Sequence, residues 1–289
     1  SSVPRRARKG PGCHLSSLPG SKWPESLKTS LTKSIVLPRT DRQVITHNNA
    51  NSVWNSNFLG RLPIAVVVHG LNNNGGSLNN VKDAFLAAQD CNVIMVDWSR
   101  LAGSGYPTAV NGVPSVGQHV GNFITWIVNL TGANWNNVHL VGFSLGAHVS
   151  GVAGRQTGRR VRRITGLDPA GPGWGSNGNR LQSNAAPYVE GIHTDGHLLG
   201  IFNPVGHADF YPNGGKHMQP GCSALGSPCS HGRSHQYFDS SVRRNRLVGE
   251  RCPNLSSAEL GRCSGGARMN MAIDKFINLY TGRVRRGIY

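Results

Sequence analysis

Asn137-Val-His-Leu-Val-Gly-Phe-Ser-Leu-Gly-Ala-His-Val-Ser-Gly-Val-Ala-Gly154 is the stretch that decides the fold. Its first five residues are apolar and β-branched apart from one Asn and one His, and they predict a buried strand. The run from Ala147 is built of small residues and predicts a helix. Between them Gly142-Phe-Ser-Leu-Gly146 makes a sharp turn with Ser144 at its apex. That geometry needs small residues two places either side of the serine, because a Cβ at 142 or 146 would crowd the turn. Ser144 is then forced into a strained conformation, with Oγ exposed at the C-terminal edge of a sheet. The N-terminus of the following helix favours negative charge developing there.

The motif alone is weak in a chain with 38 Gly, and its context gives it weight. A second apolar strand, Pro63-Ile-Ala-Val-Val-Val-His-Gly-Leu71, runs into an Asn/Gly-rich loop at 72–80. Where a Gly-x-Ser-x-Gly turn follows such a strand, the expected fold is the α/β-hydrolase fold, a mostly parallel central sheet flanked by helices. In that fold one backbone N–H of the oxyanion hole comes from the turn after the earlier strand and the other from the residue after the nucleophile. Leu71 and Leu145 are the candidates.

The fold places its acid and then its base after the nucleophile in chain order. Arg163-Ile-Thr-Gly-Leu-Asp-Pro reads as a further buried strand ending at Asp168, whose carboxylate belongs at the same sheet edge as Ser144. The base must be sought among 12 His. His193 and His207 sit in alternating apolar segments and read as sheet residues. His231 and His235 lie in Cys229-Ser-His-Gly-Arg-Ser-His, read as a polar loop ahead of a helix, and the residues alone leave these two as rivals.

The chain resembles the lipase domain of the pancreatic lipase family. The resemblance runs through VVVHGLNNNG, VDW, GFSLGAHVSG, LDPAGP, GIHTDG, GHADFYPNGG, PGC and CSHGRS, and spans roughly residues 60 to 245. In that family the catalytic His lies two residues after the second cysteine of the lid disulfide, which implies His231 after Cys229. The triad implied is Ser144, Asp168 and His231. Ser144 would attack an ester carbonyl, His231 would carry the proton to the leaving alcohol, and Asp168 would hold the imidazole. No cofactor enters this chemistry.

A length of 289 residues suits a single lipase domain over 1–289, with 1–35 as an N-terminal arm. Pancreatic lipases proper carry a C-terminal β-sandwich domain, and none is expected here after a helix-like segment at 269–280. The six Cys show no metal spacing, which favours disulfides and a secreted, extracellular protein. Local spacing suggests Cys222–Cys229 and Cys252–Cys263, leaving Cys13–Cys91 to staple the arm, as in venom phospholipases of the family. Asn129-Leu-Thr and Asn254-Leu-Ser fit secretion as glycosylation acceptors. No run of 18 apolar residues is present to span a membrane.

Thirty basic residues against 13 acidic ones give a formal charge of +17. Arginines cluster at 5–9, 159–163, 243–246 and 283–286. The excess implies attraction to anionic membrane surfaces or sulfated glycans. Nucleic acid is not expected, since no recognition motif is visible. A monomer is expected.

Two loops depart from the triacylglycerol lipases of the family. Only six residues, 223–228, separate Cys222 from Cys229, too few for an amphipathic lid helix. The loop after His193-Thr-Asp is short as well. Short versions of both mark the family's phospholipases A1, including those of insect venoms, and Leu198, Leu199, Ile201, Phe202 and Leu225 would meet the acyl chains. The family's calcium carboxylates fall on Asn177, Gln182 and Ala185, which supply no charge to a hard cation, so no metal is expected. The resemblance thus implies a phospholipase A1. Two alternatives stay open: a triacylglycerol or galactolipid lipase, and a non-catalytic yolk-type lipid-binding or storage protein, a class that typically loses the nucleophile.

Overall fold

The computed structural model describes residues 34–37, 43–223, 228–244, 247–272 and 287–289. Its strands are β1 (Ser34–Leu37), β2 (Gln43–Ile45), β3 (Ile64–Val68), β4 (Asn92–Val96), β5 (Val138–Phe143), β6 (Arg163–Leu167), β7 (Tyr188–Ile192), β8 (Ala208–Phe210), β9 (Val248–Glu250), β10 (Arg268–Asn270) and β11 (Gly287–Ile288). The longer helices are α1 (Asn79–Ala88), α2 (Tyr106–Thr131), α3 (Leu145–Gln156) and α4 (Cys229–Arg244).

Nine strands form one sheet in the order β11-β8-β7-β6-β5-β3-β4-β1-β2. Pairings from β4 through to β11 are parallel, and β1 and β2 add an antiparallel edge. The central strands explain the order. Ile64-Ala-Val-Val-Val and Val138-His-Leu-Val-Gly-Phe are buried at every position, as strands covered on both faces must be. Val66, Val68 and Ile94 face one core with Val116 and Ile124 of α2 and Val149 of α3. Ala65, Val67, Val93 and Val141 face the other with Val81 and Phe85 of α1 and Phe238 of α4. The result is the α/β-hydrolase architecture, with helices on both faces of a mostly parallel sheet.

Two details differ from the sequence expectations. Residues 34–37 are a sheet strand, so the expected arm reaches into the core sheet; residues 1–33 lie outside the described residues. The segment read as helix from 269 begins as strand β10, paired with β9, and 273–280 lie outside the described residues. Cys222–Cys229 and Cys252–Cys263 are bridged, with Cα atoms 5.7 and 4.6 Å apart. Among the described residues Cys91 has no disulfide partner; Cys13, its expected partner, lies outside them. Burial, and then Asp90, push a free thiol at Cys91 up to about 12.

Candidate active site

Register brings the site together. Val68 pairs with Gly142, Phe143 with Leu167, and Leu167 with Ile192. The residues just beyond these strand ends, namely Gly70, Ser144, Asp168 and Thr194, therefore line one edge of the sheet. Ser144 has φ 55° and ψ −122°, a left-handed conformation that costs a non-glycine residue free energy. Tight packing around the turn holds it there. A Cβ on Gly142 would lie 2.2 Å from the carbonyl oxygen of Gly146, and one on Gly146 would lie 2.3 Å from that of Val68. Asp168 is also strained, at φ 40°, so two adjacent strands each end in a strained polar residue.

Asp168 is completely buried and fully engaged. Its Oδ1 accepts the backbone N–H of Thr194 at 2.8 Å and that of Asp195 at 3.1 Å. Its Oδ2 accepts Nδ1–H of His231 at 2.6 Å. His231 lies in the first turn of α4, not in a loop ahead of it, and the disulfide at Cys229 ties that turn to Cys222. Its ring packs on Phe143, the residue before Ser144, with centroids 4.5 Å apart. His235, one turn further on, points elsewhere. Its Nδ1 accepts from the Asn80 amide at 3.1 Å, and burial, then the charge of His231, lowers its proton affinity.

Leu145 opens α3 directly after Ser144, and the chain at Gly70 presses on Ser144: a Cβ there would lie 2.8 Å from the serine Cβ. Sequence reasoning missed the residue that orients this second loop. His69 is buried, and its Nδ1–H donates to the Gly70 carbonyl at 2.9 Å while Nε2 accepts the Trp98 N–H at 3.1 Å. A peptide's C=O and N–H point in opposite directions. Gripping the Gly70 oxygen therefore fixes the direction of the Leu71 N–H. The signal was present in the His-Gly and Val-Asp-Trp motifs, but nothing in either shows that they meet.

The loop expected to carry acyl-chain contacts divides. Leu198 and Leu199 are 47% and 38% exposed. Ile201 and Phe202 are buried, each in a core cluster, because their backbone is used structurally. The Ile201 carbonyl accepts from His193 and that of Phe202 from Tyr211. Both therefore pack as core residues. Leu225 lies outside the described residues.

The donor set expected for calcium does not fit the ion. Asn177 and Gln182 are neutral and Ala185 is a buried core residue. The carbonyls of Asn179 and Arg180 in the same loop already accept from the Arg155 guanidinium, at 3.0 and 3.3 Å. Among the described residues no helix is long and apolar enough to cross a membrane.

The model of the lipase family matches residues 30–278. Lipoprotein lipase of Rattus norvegicus is 38% identical, the match covering 74% of this chain and 51% of that protein. Lipoprotein lipase of Homo sapiens is 41% identical over 60% of this chain and 42% of its own. The chain spans about half the length of the curated relatives it matches. Among solved structures, Aspergillus fumigatus lipase B aligns at 16% identity with a TM-score of 0.38, over 54% of this chain and 44% of that one, a likeness too slight to argue from. The match over residues 30–278 places the chain: it belongs to the lipase family, the pancreatic lipase family that its motifs resemble.

Proposed function

We propose that this protein is a secreted serine ester hydrolase acting on lipids, with Ser144 as nucleophile, His231 as general base and Asp168 as its orienting carboxylate. The observation that carries the reading is the 2.6 Å bond from His231 Nδ1–H to Asp168, beside a serine held at positive φ. That bond fixes the tautomer in which Nε2 has the lone pair needed to take the Ser144 proton. The serine oxygen attacks the ester carbonyl, and the N–H groups of Leu71 and Leu145 receive the oxyanion. Imidazolium then returns the proton to the leaving alcohol, and water releases the acid by the same path.

Within that class we infer a phospholipase A1. The support is the six-residue span between Cys222 and Cys229, too short for an amphipathic helix that could close the cleft, and the short loop bearing exposed Leu198 and Leu199. Arg159, Arg160 and Arg162 are exposed on one surface segment and favour an anionic membrane or sulfated glycan. Vesicle binding should therefore weaken from low to high salt; salt-independent binding removes the electrostatic part of the reading. The second reading is a triacylglycerol lipase; the similarity to lipoprotein lipases supports a lipase without separating it from the first reading. Positional analysis of the acid released from a mixed-acyl phosphatidylcholine, run beside a triolein assay, decides between them. Release from the sn-1 position with little triolein turnover is expected. The reverse ranking restores the triacylglycerol lipase.

A further inference from the structure

A second carboxylate stands beside the proposed triad, and the triad does not use it. Asp195 is completely buried. Its Oδ1 accepts Nδ1–H of His217 at 2.7 Å, and its Oδ2 meets no hydrogen-bond donor among the described residues. A carboxylate oxygen of Asp195, one of Asp168 and a ring nitrogen of His231 all lie within 4.8 Å of one another. The backbone keeps them there. The Asp195 N–H donates to Asp168, its carbonyl accepts from Gly200, and the 215–218 loop docks through the Gly196 N–H on the Gly215 carbonyl. His217 is 22% exposed while Asp195 is fully buried.

We propose that Asp195, held by His217, is a positioning residue that lends His231 a second negative neighbour and so sets the pH range over which the site works. The proposal rests on the reading of His231 as the base. The charged groups acting on Asp195 are Asp168 at the end of β6, His231 on α4 and His217 on the 215–218 loop. Burial pushes its carboxyl up, the hydrogen bond from His217 pulls it down, and the charge of Asp168 pushes it up again. The net direction is upward, and in its ionised form the carboxylate stabilises imidazolium at His231. Without His217, burial and Asp168 drive Asp195 to take up a proton. One negative charge then leaves the surroundings of His231, which loses its own proton more readily.

The sign of the effect is thus fixed for both members of the pair. Asp195→Asn and His217→Asn should each move the His231 titration to lower pH, by about one unit. The two act through one charge, so the double variant should move no further than Asp195→Asn alone. A titration of the ¹⁵N-labelled His231 ring in the full chain reads this without any turnover, and the acid limb of kcat/KM for ester hydrolysis should move with it. A midpoint unmoved by either change, or shifts that add in the double variant, overturns the proposal. Should the variants not fold, the unaltered chain still decides. Its His231 curve must carry a second inflection at the titration of His217, and a single smooth step counts against the pair. A shifted midpoint in a protein that hydrolyses no ester would sink the functional reading and leave the pair standing. An active enzyme with an unmoved midpoint would do the opposite.

Discussion

Two buried carboxylate–imidazole pairs lie near the same end of the sheet, and their imidazoles are bonded differently. Asp168 and His231 meet at 2.6 Å, Asp209 and His193 at 2.9 Å. The difference lies in the other ring nitrogen. His193 Nδ1 faces the Ile201 carbonyl at 2.7 Å while Nε2 faces Asp209, so both nitrogens meet acceptors and both must carry protons. The ring is entirely buried and stacked on Tyr211 at 4.5 Å. Asp209 in turn accepts the backbone N–H groups of Val205 and Gly206. This pair is saturated and acts as a clamp between β7, β8 and the loop joining them. His231 instead keeps a 7% exposed edge beside Ser144. Chemistry requires the imidazole whose second nitrogen is not bound by the protein's own backbone, and only its surroundings separate it from the clamp.

The sharpest way to break this comparison is to remove the acidic partner from each pair. Asp168→Asn should cost ~10⁴-fold in kcat, because the amide imposes the wrong tautomer on His231, and Ser144→Ala should cost at least as much. Both should melt close to the unaltered chain. Asp209→Asn should do the reverse, leaving a buried imidazolium without its counter-charge at about 3–5 kcal/mol in stability. Thermal melts and initial rates on the three variants test the division. A stable, active Asp209→Asn protein would show that the clamp is not one.

The pH dependence of stability sharpens the same contrast. Burial alone lowers the proton affinity of His193, but the hydrogen bond and charge of Asp209, with the Ile201 carbonyl, outweigh it and the net shift is upward. A group raised on folding stabilises fully below its unfolded value, about 6.5 for His. That contribution is lost as pH rises through the folded value. Denaturation midpoints should therefore fall across the alkaline side of neutrality in the parent chain, and less steeply in His193→Gln. Parallel profiles for the two proteins would mean that His193 is neutral.

Much of the first pair was legible in the sequence, and the second was only half so. Gly142 and Gly146 announce the turn at Ser144, because no other residue fits between those backbones. Asp168 follows from its place after an apolar run, and chain order follows from the fold. His193 was read as a sheet residue, but its partner Asp209 was invisible, since 16 residues and a loop separate them. Asp195 and His217 escaped for the same reason, and so did the grip of His69 on Gly70. Each is a contact between segments whose own patterns are complete without it. Ile201 and Phe202 are ambiguous in another way. Apolar residues in a short loop near a lipid site suit substrate or core equally, and only the backbone bonds of that loop decide which.

The smallest expected effect tests whether His231 was separated from its neighbour for the right reason. His235 lies one turn along α4, and its ring is 5.4 Å from the same Phe143. Proximity alone would let it serve as base. Its hydrogen bond argues otherwise. The Asn80 amide donates to Nδ1, so a neutral His235 has its proton on Nε2 and its only lone pair already engaged. Burial, then His231, lowers its proton affinity, so the ring stays neutral through the working range. No carboxylate is hydrogen-bonded to its ring as Asp168 is to that of His231, and the charge of Asp239, which favours its protonated form, ranks behind burial and His231. His235→Ala should therefore keep activity within about threefold of the parent, a change below 1 kcal/mol in barrier height. Any loss of stability should come from the vacated contact with Phe143 and the freed Asn80 amide. A rate measured at saturating substrate in this variant, beside His231→Ala, settles the matter: a collapse in the first and not the second moves the base one turn down the helix.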